Sequence, residues 1–156
     1  MEVSRALELK VPPPLVAVLV ALTMWGASGF SGSVAALERF RLPLAIACAV
    51  VGAGFDVSGL LAFRRAKTTI NPMRPRSTSA IVDYGIFRVT RNPMYVGLLF
   101  LLIGWAVYLG TWWPLLGPLA FAAYIGHFQI APEERILTEL FGARYLAYKA
   151  RVRRWI

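Results

Sequence analysis

Two short polar clusters carry the residue types that could do chemistry in this chain. The first is Tyr84-Gly85-Ile86-Phe87-Arg88-Val89-Thr90-Arg91-Asn92-Pro93-Met94-Tyr95, and the second is Pro132-Glu133-Glu134-Arg135. Arg88 and Arg91 can fork onto a carboxylate. Glu133 and Glu134 can accept hydrogen bonds from an ammonium or a ribose. Phe87, Tyr95, Tyr145 and Tyr148 can cover a planar base or a cation. Both clusters also read as helix starts. Asn92 is a favoured N-cap and Pro93 suits a first turn, and Pro132 with two following carboxylates has the same character. Free N–H groups at such starts can hold a carboxylate or phosphate.

The clusters meet only if the elements between them bring them to one surface, and those elements are apolar. Of 156 residues, 58% are hydrophobic, and the mean hydropathy is +0.59. Four segments qualify as candidate spans: Pro14 to Gly32, Leu42 to Phe63, Pro93 to Leu109 and Pro114 to Ile130. About 20 apolar residues cross a bilayer core, so the last two sit near the lower limit. Only Gly110-Thr111-Trp112-Trp113 joins them, which predicts a helical hairpin with its tryptophans at an interface. Beyond them, Phe141-Gly142 interrupts the helix. Tyr145, Tyr148 and Val152 then recur at the spacing of an amphipathic surface helix. The expected fold is an all-α integral membrane protein with four transmembrane helices and a cytoplasmic amphipathic C-terminal helix. It forms one domain over 1–156, with a helical pair in 1–67 and a ligand-binding half in 68–156.

Of the 17 Lys and Arg residues, only Arg39 and Arg41 lie in the first loop and none lies in the third. The remaining basic residues put both termini and the second loop on one side, which the positive-inside rule makes cytoplasmic. The formal charge of +9 therefore reads as membrane topology and anionic headgroup contact, not nucleic-acid binding. The N-terminus lacks a clear positive region ahead of its apolar run, so the first span reads as retained.

Other residues have plainer readings. Cys48 is the sole cysteine, which excludes an intrachain disulfide and suits a packed thiol. Gly26, Ser28, Gly29 and Gly32, then Gly52, Gly54, Ser58 and Gly59, are expected at close helix contacts. Gly52-Ala53-Gly54 lies inside a span with no strand before it, so it is not a nucleotide loop. Asp56 is an ionisable group within a span, which points to function unless Arg64 and Arg65 pair with it. No metal-ligand spacing is present.

A ligand with an amino acid head, a ribose, an adenine and a sulfonium would use every group in the two clusters. S-adenosylmethionine is that ligand. The chain also resembles the isoprenylcysteine carboxyl methyltransferase family and its bacterial relatives, which are similar to phospholipid N-methyltransferases. The resemblance runs from Thr68 to Ile156. It rests on Tyr84-Gly85-x-Phe87-Arg88, Arg91-Asn92-Pro93-x-Tyr95-x-Gly97, Glu133-Glu134-x-x-Leu137, Phe141-Gly142-x-x-Tyr145-x-x-Tyr148 and Val152-x-Arg154. It implies methyl-donor binding at the cytoplasmic face of a bacterial inner membrane and an acceptor that enters from the lipid.

On that reading Arg91, Tyr95 and Glu134 line the reaction centre. Tyr84, Gly85, Phe87, Arg88, Asn92, Pro93, Met94, Glu133, Glu134, Tyr145 and Tyr148 hold the donor. Asn92 stands where many family members carry His, so a proton-accepting role for that His does not carry over. His127, where relatives often have Arg, is expected as a pocket-lining or interfacial polar residue. The partners implied are membrane lipids and a lipophilic acceptor: carboxylate, amine or thiol. The competing readings are an NADPH-dependent membrane reductase of related fold and a non-catalytic lipid-binding bundle.

Overall fold

The computed structural model describes residues 8–30, 32–66 and 75–156, and these are mostly helical with no strand among them. The helices are α1 (Pro13–Ser28), α2 (Ala35–Glu38), α3 (Arg41–Ala66), α4 (Pro93–Leu109), α5 (Leu116–Ile125), α6 (Ala131–Phe141) and α7 (Ala143–Arg151). Proline sets the starts of α1 and α4, where its missing N–H costs nothing. Gly110, with a positive φ, closes α4.

Helix α3 has 26 residues and is the one described helix both long and apolar enough to cross a membrane. At about 1.5 Å per residue it exceeds a hydrocarbon core of about 30 Å. Helices α1 and α4 are apolar but shorter, at 16 and 17 residues. Both are near the lower limit by length alone.

Helix α3 packs most closely along α4, and the small residues explain how. A Cβ added at Gly52 would lie 2.8 Å from the Gly97 carbonyl oxygen, and one at Gly104 would lie 3.0 Å from that of Ala45. Such close backbone approach gains dispersion where lipid offers no hydrophobic drive. Gly59 similarly admits Pro93 and Met94. The first span differs from expectation. Gly26 and Gly32 meet no neighbour, and α1 instead inserts Met24 against Gly117, which precedes the buried core residues of α5. Val16, Ala17, Met24, Leu102, Ala106, Phe121 and Ile125 form the core that α1, α4 and α5 share. At one end of this bundle Val34 donates to the Gly110 carbonyl at 2.8 Å, which ties the first loop to the turn after α4.

The second expected helix start is not one. Residues 116–141 form a continuous helix, and its Gly126–Ile130 turn is widened to a π-helix. Proline at 132 explains the widening, because its ring cannot fit against the i−4 carbonyl and it has no N–H to offer. The carbonyl so freed belongs to Phe128, and the Leu9 N–H takes it at 3.0 Å. Gln129 Nε2 donates to the Val11 carbonyl at 2.7 Å, and Arg135 pairs with Glu8. The N-terminal strap thus repairs the helix that proline interrupts. Gly142, at φ +52, is the true break and lets α7 turn back across α6.

Candidate functional site

The start of α4 and the turn of helix at Glu133 and Glu134 meet through the segment that follows α7. Asn92 occupies the N-cap position but makes no side-chain cap. Its Nδ2 donates instead to the Arg154 carbonyl at 2.8 Å, and Thr90 Oγ1 donates to the same oxygen at 3.2 Å. The Arg91 N–H donates to the Arg153 carbonyl at 3.0 Å. Its guanidinium donates through one nitrogen to the Lys149 and Val152 carbonyls at 2.8 and 2.9 Å. Sequence alone missed this stitching of 149–154 onto 90–92, because backbone carbonyl partners leave no residue-type signal.

Glu134 is the hub. Arg91 reaches its Oε1 at 2.7 Å, Arg154 forks onto both oxygens at 3.1 and 2.8 Å, and the Lys149 ammonium lies 3.1 Å from Oε2. The side chains of Glu134 and Arg91 are 6% and 8% exposed. Burial raises the Glu134 carboxyl, but the hydrogen bonds and charges of Arg154, Lys149 and Arg91 outweigh it. They hold the group below the ordinary carboxylate range.

Glu133 is its opposite. Burial pushes its carboxyl up to about 7, and the neighbouring Glu134 charge adds to this. Only the Tyr95 hydroxyl, donating to Oε2 at 3.2 Å, opposes the rise. The two adjacent carboxyls are thus shifted in opposite directions by their surroundings.

The Glu133 shift has a consequence for stability. The folded chain keeps this proton up to about pH 7, whereas an unfolded Glu loses it near 4.5. The fold therefore binds more protons between those values, and stability falls as pH rises through the window. Glu133→Gln removes that loss. The melting temperature of the variant should gain on wild type from about pH 4.5 to 7 and hold its lead above. Parallel profiles for the two proteins across that range would remove the burial assigned to Glu133.

Around these groups lies a cavity of about 430 Å³, within the range of small-molecule sites. Of the residues singled out in the sequence, Phe87, Arg91, Asn92, Pro93, Met94, Tyr95, Glu133, Glu134, Tyr145 and Tyr148 line it. Tyr84, Gly85 and Arg88 lie outside the lining. Gly85–Arg88 is a 3-10 turn that buries Phe87 edge-on against Phe63, at 5.1 Å between ring centres. It leaves Arg88 exposed. The Tyr84 hydroxyl donates to the Ala62 carbonyl at 3.0 Å and pins that turn to α3. His127 is exposed, edge-on to Phe128, and also outside the lining.

The rest of the wall is largely apolar, with Val82, Leu98, Ile130 and Leu137, and Asp56 interrupts it from α3. Burial lifts both the Tyr145 and Tyr148 phenols, and the Tyr148 hydroxyl donates to the Phe87 carbonyl at 2.8 Å. Arg91 Nε is buried without a partner among the described residues.

The architecture is that of a helical, membrane-associated protein with a polar-ended cavity beside its long apolar helix. The phospholipid methyltransferase family profile matches residues 40–144, more than half the chain, and the chain belongs to that family. It is accordingly a methyltransferase acting on a lipid-related substrate. The match includes α3 and both polar clusters but stops before Tyr145. An uncharacterized protein of Haemophilus influenzae is 44% identical over 63 residues, which are 40% of this chain and the whole of that one. No solved structure matches the chain significantly.

Proposed function

We propose that the chain transfers a methyl group from S-adenosylmethionine to a lipophilic acceptor at the cytoplasmic face of a bacterial inner membrane. In this reading it acts as one domain. Helices α1, α3, α4 and the helix from Leu116 make four spans, the last two form a hairpin, and both termini lie in the cytoplasm. The observation that carries the reading is the cavity itself. Residues from the two separated polar clusters line one space beside a membrane-capable helix. The exposed Trp112 and Trp113, at the opposite end of α4 from that space, suit the far interface. Exposed apolar side chains along α3, among them Ile46, Val50 and Val57, suit lipid contact.

The residues fit the donor. Arg91 Nε, buried and unpartnered, suits its carboxylate. Tyr145, Tyr148 and Phe87 offer ring faces to a base or a sulfonium. When bound, S-adenosylmethionine supplies an electrophilic methyl on sulfur, and the protein supplies alignment and dryness. Tyr95 and Glu133 face the reacting end. With its carboxyl near pH 7, Glu133 can take a proton at Oε2 from an acceptor that must lose one. Glu134 and Arg91 position the wall; a carboxylate neutralised by three cations is a poor base.

S-adenosylhomocysteine should raise the melting temperature of detergent-solubilised protein by several degrees. Ligand at about a hundredfold over its dissociation constant contributes about 2.7 kcal/mol. A flat titration of folded protein speaks against a donor site, and protection by NADPH alone would favour a reductase.

A further inference from the structure

Asp56 stands apart from the polar network around Glu134. It lines the cavity from α3 and makes no hydrogen bond or ion pair among the described residues. Arg64 and Arg65, the cations expected to pair with it, lie exposed at the end of α3 two turns away. Gly52, Asp56 and Gly59 recur at i, i+4 and i+7, so the carboxyl sits on the face of α3 that packs on α4. A Cβ at Gly97 would lie 2.2 Å from its Oδ1 and 2.5 Å from its Cγ. The absent side chain at Gly97 is what makes room for the carboxyl.

Gly97 is four residues beyond Pro93, about 6 Å deeper along the helix than its polar start. An apolar side chain would pack between these helices without the cost of a carboxyl at this depth. Among the described residues, Arg91 is the one cation lining the cavity, and Glu134 and two carbonyls engage its terminal nitrogens. Away from Arg91, the described residues of the deep wall therefore offer an acceptor of hydrogen bonds and no counter-charge for an anion.

We propose that Asp56 is a specificity-determining residue that accepts a hydrogen bond from the head of the lipophilic acceptor and excludes heads that are anionic. The proposal rests on the reading of this cavity as the place where such an acceptor is methylated. Two amphiphiles of equal chain length, dodecylamine and dodecanoate, test it by thermal-shift titration of the full chain in neutral detergent. Wild type is expected to respond to the amine at about tenfold lower concentration, since like-charge placement is strongly disfavoured. Asp56→Asn should lose most of that preference, while Glu139→Gln, at an exposed carboxylate paired with Arg76, should keep it. Gly97→Ala, which drives the carboxyl from its place, should also lose it and serves if Asp56→Asn does not fold.

Equal response of wild type to both amphiphiles overturns the proposal, as does full preference in Asp56→Asn. S-adenosylhomocysteine is titrated into the same preparations and should stabilise wild type and Asp56→Asn alike. Its failure on wild type strikes the methyl-donor reading alone, because the amphiphile preference is read without donor.

Discussion

Glu134→Ala is expected to destabilise the protein by about 3–5 kcal/mol, the usual cost of stranding one member of a buried ion pair. Three cations lose their counter-charge, but not equally. Arg154 and Lys149 are each 39% exposed and can turn to water, whereas Arg91 is 8% exposed and held by backbone carbonyls. The loss is therefore mostly the stranded Arg91 charge. Arg154→Ala should cost about 1 kcal/mol, as half-exposed pairs do. Urea or thermal unfolding in detergent ranks the two variants. A Glu134→Ala protein within 1 kcal/mol of wild type would mean that Arg91 is not buried as described.

Removal of Val152–Ile156 should have an effect of similar size but different kind. It deletes the carbonyls that receive the Arg91 N–H, Asn92 Nδ2 and Thr90 Oγ1, one of the two that receive the Arg91 guanidinium, and the Arg154 fork on Glu134. At about 1 kcal/mol for each lost hydrogen bond, several kcal/mol disappear around the cavity. None of these contacts holds α3 to α4, where Gly52, Gly97 and Gly104 set the packing. The truncated protein should keep its helical circular dichroism and lose stabilisation by S-adenosylhomocysteine. Equal stabilisation of both lengths would show that the donor does not need this segment.

Much of the scaffold was legible because apolar length and proline placement act locally. The third candidate span coincides with helix Pro93–Leu109, and the second falls inside Arg41–Ala66. Pro132 misled because proline marks a helix start only when no distant group repairs its damage. Here Leu9, over a hundred residues away, takes the Phe128 carbonyl, so the helix runs on through a π-turn. Asn92 misled similarly: its type predicts a cap, but the Arg154 carbonyl claims its side chain.

The two glutamates look equivalent in sequence. Burial of Glu133, and the cations Arg91, Arg154 and Lys149 gathered on Glu134, separate a proton-holding Glu133 from a neutralised Glu134. Two of those cations arrive from beyond Gly142. Val152-x-Arg154 stood among the motifs of the resemblance, yet its spacing gave no hint that Arg154 closes on Glu134. Asp56 carried the clearest unabsorbed signal, a carboxyl inside an apolar helix. What it faces became apparent only with the cavity.

The central claim is that this cavity delivers a methyl group to a molecule dissolved in the membrane. The direct measurement is incubation of the purified full chain with methyl-labelled S-adenosylmethionine and an extract of bacterial membrane lipids, followed by organic extraction. Label should appear in the lipid phase with wild type and fall strongly with Glu133→Gln. Label confined to the aqueous phase, with folded protein and a complete lipid extract, would contradict the account.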